Sequence, residues 1–149
     1  MRDAATDIPD PAPQPDRPFR VKAVAGLLAM LAGVTGAHRL YLGSRFWWIY
    51  PVLALVPLGW SLQAEEWFRH PGFFIAAMVQ VAALIEAIVF CLAPDERWDA
   101  RWNAGSARRS ASGWPAVLVA IAALVLGAIL MMSVMAIALE GYFTARLNR

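Results

Sequence analysis

The chain has little with which to do chemistry. It holds one cysteine, Cys91, inside an apolar run, so an intrachain disulfide is excluded and a buried, inert thiol is expected. Its two histidines, His38 and His70, stand 32 positions apart and neither belongs to a metal-ligand spacing. A glycine-rich phosphate loop is missing, as is a nucleophile with an evident base, so the sequence nominates no catalytic residue, no metal ligand and no cofactor. Charged residues make up only 16%, 13 basic against 11 acidic, with no basic block or nucleic-acid fold signature, which excludes nucleic acid as a partner. Period-2 alternation is absent too, which argues against strands.

What the sequence has is oil. Apolar residues make up 60% of 149 and the mean hydropathy is +0.52, unusual for a water-soluble domain. Four apolar runs, 23–37, 46–62, 73–93 and 114–139, read as helices, because backbone in lipid must satisfy its hydrogen bonds internally. The expectation is an all-α, multi-pass transmembrane protein with four spans. The third and fourth runs meet the roughly 20 residues needed to cross a bilayer. The first has 15 and falls short, and the second carries Pro51 and Pro57, which should bend it. Tryptophans and tyrosines gather at the run ends, where interfacial anchors belong.

Residues 1–20 hold a proline- and aspartate-rich stretch that reads as a disordered tail rather than a secretory signal. Residues 21–105 read as the membrane domain, and 106–149 as a flexible linker with an appended transmembrane helix. At the end of the membrane domain, "APDERWDARWNAG", residues 93–105, suggests a short amphipathic helix over 95–103, with Trp98 and Trp102 on one face at headgroup level. Orientation stays open. Four spans split Lys and Arg seven against six, which decides nothing. If the short first run failed to cross, the split would become ten against three, but His38 and Arg39 would be stranded deep in lipid.

The segment that breaks the oil is "TGAHRLYLGSRFWW", residues 35–48, expected as the polar corner of a helical hairpin. Small residues precede it at i+4 spacing, Ala25, Ala29, Gly33 and Ala37, a face along which another helix can approach closely. The run Gly33-x-x-Gly36-x-His38-Arg39-Leu40-Tyr41-Leu42-Gly43 resembles the signature of the TM-2 domain family, small membrane proteins with two helices joined by a short polar turn. Lys22 matches the family's basic start, Leu40 stands where Phe is usual, and the family's late acidic residue has its best candidate in Glu86. The resemblance implies a membrane-embedded domain without established catalytic chemistry.

Chain direction puts Glu86 about 10 Å inside the end of the third run, on the same face as the corner. A lone carboxylate there is costly, so a pairing of Glu86 with Arg39 is expected, supported by His38 or Gln80. Together these readings point to a non-enzymatic membrane module that binds or scaffolds a partner protein or further copies of itself among membrane lipids. The alternative is a small oligomeric transporter or proton conductor using Glu86. Composition suggests a bacterial inner membrane.

Overall fold

Six α-helices and two short 3-10 turns make up residues 18–148, which the computed structural model describes; no strand occurs among them. Most of the expected disordered tail, residues 1–17, lies outside the described residues. Arg20, assigned to that tail, is held: its N–H donates to Asn103 Oδ1 at 2.9 Å.

The first apolar run is not one rod. Helix α1 spans Lys22–Ala32, loosens into a 3-10 turn at Gly33–Thr35 and stops at Gly36. Thr35 Oγ1 donates to the Ala32 carbonyl at 2.7 Å, and Gly36 takes φ 70°, a left-handed conformation that a side chain would strain. Helix α2, Ala37–Tyr41, then leaves in a new direction. Of the expected packing stripe, Ala25, Ala29 and Gly33 are buried along α1, while Ala37 lies beyond the break, half-buried on α2.

Contacts along helix α4, Pro71–Leu92, give the path. A Cβ on Gly26 would meet Cys91 and the Ala87 carbonyl, and one on Gly33 would meet Ala83 and Gln80. Helix α1 therefore runs antiparallel along the second half of α4. Past the turn, His38 reaches Glu86, and Leu42 packs with Ala25 and Trp98. The Tyr41 hydroxyl accepts the Val21 N–H at 2.9 Å, so the chain returns to the end at which it entered. Residues 22–43 double back as a helical hairpin, and the expected continuous first helix over 23–37 is corrected accordingly.

Helix α3, Ile49–Ser61, starts part-way along the bundle: a Cβ on Gly36 would meet the Trp47 carbonyl and Tyr50. It starts three residues later than the expected 46–62 run because residues 44–48 are spent on the climb back from Gly43. Pro51 sits in its first turn, where the missing N–H has no partner to lose, and Pro57 lies inside it. The Pro57 carbonyl abuts Gly72. Thus α1 lines one half of α4 and α3 the other.

Helix α4 starts two residues before the expected 73–93 run, with Pro71 in its first turn and His70 Nδ1 accepting the Gly72 N–H at 3.1 Å. Helix α5 spans Asp95–Trp102. Helix α6, Trp114–Leu147, runs eight residues beyond the expected 139 end: polarity at Glu140 ends the apolar run, but nothing there breaks the helix. Nor is α6 an appended unit. Ala116, Ala120 and Ala123 are buried against α1 and α4, and Gly127 faces Leu84. Small residues at this spacing make a flat face, and Gly26 sits where α1, α4 and α6 converge, beside Cys91 and Val119. Two helices, α4 and α6, are long and apolar enough to cross a membrane; α1 and α3 are not.

The reversal at Gly36 yields a stability test. Gly36→Ala places a Cβ against the Trp47 carbonyl in a left-handed backbone, and should destabilise the protein by about 1–3 kcal/mol in detergent melts. Gly59→Ala, in open space on α3, should leave the melting temperature unchanged or raise it.

Candidate functional site

Chain reversal sets two consecutive polar residues, His38 and Arg39, against the only acidic residue of α4. His38 is fully buried, and the Glu86 side chain keeps 22% of its exposure. His38 Nε2 lies 2.9 Å from Glu86 Oε2, Arg39 Nε donates to the same oxygen at 3.0 Å, and Arg39 Nη2 donates to Oε1. The Tyr50 hydroxyl, from α3, completes the set by donating to Oε1 at 2.7 Å. An ionised carboxylate only accepts, so Nε2 carries the histidine hydrogen, which leaves Nδ1 buried with no partner among the described residues. The ring packs edge-on against Tyr50, centroids 4.9 Å apart, and at 6.3 Å from Phe90. One carboxylate thus joins α2, α3 and α4. Charge-assisted bonds of this kind are among the stronger ones in proteins, and each oxygen here receives two donors.

Gln80 is not part of this cluster. Its Oε1 accepts the Val34 N–H at 3.2 Å and its Nε2 donates to the Met30 carbonyl at 3.1 Å, so it serves the frayed end of α1, whose backbone groups lose their helical partners at the break. Tyr41 ties to Val21, and Gly43, at φ 75°, ends α2 where a Cβ would meet the Arg20 guanidinium. Sequence reasoning missed Tyr50, which counts there only among the aromatic residues at the run ends. The only available signal was its place just after the corner.

A second polar network lies at the end where α1 begins. Lys22 pairs with Asp95 and donates to the Ala93 carbonyl at 2.6 Å. Trp98 is not an exposed anchor as expected: its ring is buried between Ala25 and Leu42, and its Nε1–H donates to the Arg20 carbonyl at 2.9 Å. Trp102 packs half-buried beside it. Both rings face inward because α5 folds back over the mouth of the hairpin. Asp99 and Asp95, one turn apart on α5, collect the segment that was expected as a flexible linker. Ser110 donates its N–H to Asp99 Oδ2 at 2.8 Å and its hydroxyl to Oδ1 at 2.6 Å; Ser112 donates its N–H to Asp95 Oδ2 at 2.9 Å.

Hydrogen bonds from Lys22 and Ser112 hold the Asp95 carboxyl down at about 2, below its ordinary 3.8. For Asp99, burial pushes the value up, but bonds from Ser110 and Asn103 outweigh it and the net direction is down. At the opposite end, Arg69 bridges Glu140 at 2.6 Å and Glu66 at 3.3 Å, which ties α6 to the connection between α3 and α4. Among the described residues no group of three His, Cys, Asp or Glu is placed to hold a metal ion.

Comparison with protein-family models, curated proteins and solved structures found no match.

A carboxyl held low in the folded state adds stability above its unfolded value and gives it up as protons return. The Lys22–Asp95 tie should be intact above about pH 4 and be lost between about pH 4 and 2. Acid titration of the fold should show a loss of stability in that window, and Asp95→Asn should reduce it, with Asp99 supplying part of what remains. An identical profile in the variant would mean that Asp95 contributes nothing to acid sensitivity.

Proposed function

We propose that this chain is an integral membrane protein whose role is structural: a non-enzymatic helical module of TM-2 type that binds or scaffolds a partner in the bilayer. The membrane reading rests on where the apolar surface points. Only 33% of the apolar window of α4 and 17% of that of α6 is buried within the chain, whereas a soluble core helix would be mostly covered. Leu118, Ile121, Leu124, Val125, Ile129 and Met132 all face outward from α6. Lipid is the solvent that such a surface suits.

In this reading the main chain crosses three times. Helices α1 and α3 divide one crossing between them, and α4 and α6 each make one. Arg20, Lys22, Arg45, Arg97, Arg101, Arg108 and Arg109 then gather at one end, with Arg39 reaching inward from it to Glu86, against Arg69 and Arg146 at the other. Under the positive-inside rule the basic end faces the cytoplasm, and a bacterial inner membrane accommodates this arrangement. The cost of dipping His38 and Arg39 into lipid is offset by Glu86 and Tyr50.

The observation that favours a scaffold over a conductor is the occupancy of Glu86. Both oxygens are engaged by donors from two other helices, α2 and α3, so the carboxylate serves as a clamp and has no free lone pair aimed along a path for protons. The resemblance at residues 33–43 agrees with that reading, and the small-residue faces of α1 and α6 suit assembly with membrane partners or further copies.

Glu86→Gln is the variant that separates the two roles. The clamp reading predicts a loss of about 3 kcal/mol in detergent stability, since Arg39 loses its counter-charge and the amide turns an NH2 donor toward groups that themselves donate. It also predicts proton flux in proteoliposomes no higher than in protein-free vesicles, for both wild type and variant. Wild-type flux that disappears in Glu86→Gln would replace the scaffold by a conductor.

A further inference from the structure

Between the ends of α2 and α4 and the outer face of α5 lies a cleft of about 330 Å³, lined by Arg39, Arg97 and Arg101 and floored by Val89, Phe90 and Trp102. Its three guanidinium groups are not equivalent. Arg39 is spent on Glu86, which leaves the pair neutral. Arg97 and Arg101, one turn apart on α5, are exposed and have no carboxylate partner among the described residues. The Arg101 guanidinium stands 5.2 Å from the Trp102 ring centroid, a cation–π contact that restrains its position. With Glu86 counted, the walls carry a formal charge of +2.

Two features suggest the shape of what fills it. The guanidinium forks match the oxygens of a phosphate group, which they can hold by paired hydrogen bonds. Beside them the wall turns apolar, and Val89 is 58% exposed on the outer face of α4, so an acyl chain can continue down from the charged mouth. A free phosphate has no use for that wall. We propose that this cleft is a binding site for the phosphate of an anionic phospholipid, held by Arg97 and Arg101 with Arg39 at its back, its acyl chain lying along Val89 and Phe90. In the bilayer the bound lipid would lock α5 over the mouth of the re-entrant hairpin.

The inference rests on the membrane reading above, and its test keeps the two apart. Detergent-purified full-length protein is titrated with phosphatidylglycerol, phosphatidylcholine and inorganic phosphate, and bound adducts are counted by native mass spectrometry. Wild type should prefer phosphatidylglycerol over phosphatidylcholine by about tenfold, as expected for two arginines at a lipid headgroup. Arg97→Gln/Arg101→Gln should lose that preference, whereas Arg108→Gln/Arg109→Gln, which removes the same charge outside the cleft, should retain it. Melting curves establish that both variants are folded. Equal loss in the two double variants, or no loss in either, overturns the site. Competition by millimolar inorganic phosphate as effective as that of the lipid reassigns the cleft to a free anion and overturns the lipid. Failure of the membrane reading shows itself separately, as protein that stays monodisperse without detergent.

Discussion

A carboxylate taken out of water must be met by donors, and Glu86 is met by three residues from two other elements. Everything unusual in this fold depends on that exchange. A chain that dips into an apolar bundle and turns back leaves a broken helix end and, here, a histidine and an arginine at depth. Either set of charges alone would be unaffordable there. Brought together, each removes the other's penalty, and Tyr50 extends the same carboxylate to α3. Pairs of this kind add little net stability over a hydrophobic equivalent, but losing one partner leaves the other stranded. The cluster therefore specifies the path of the chain more than it strengthens it.

Small residues supply the second constraint. The bundle allows a hairpin beside α4 only because Gly26 and Gly33 present no side chain to Cys91 and Ala83. Close approach then carries the polar groups of α1 within reach of Gln80, which takes up the backbone that the break exposes. At the mouth, Trp98, Asn103 and Asp95 repeat the logic with different residues: each ties the entering or the outgoing segment to α5. The hairpin is thus held at its tip, its middle and its base.

Much of this was legible in the sequence, though by an unequal route. Apolar run lengths and the lack of alternation point to helices throughout, and the two long runs emerge as the two long helices. Counting back from the end of the third run brings Glu86 to the level of Arg39, and the structure has them in contact. The path between them differs from expectation. Fifteen apolar residues look like a short span because hydropathy registers oil and not direction. The left-handed turn at Gly36 is a single-residue event that no periodicity reveals. A split of ten positive charges against three is the one sequence signal for a first segment that turns back. The cost of burying His38 and Arg39 weighs against that split until Glu86 is brought to meet them. Trp98 and the serines at 110 and 112 differ from expectation for a related reason: interfacial anchors and flexible linkers have the same composition as a buried lid and its ties.

The re-entrant path is most directly tested by locating the two ends of the chain in cells. Reporters that are active on only one side of the membrane are fused in turn ahead of Met1 and after Arg149. An odd number of crossings puts the two ends on opposite sides, with the amino terminus in the cytoplasm, and that is the predicted result. Both ends on one side would mean that α1 crosses after all, and the clamp at Glu86 would have to be rebuilt around a different fold.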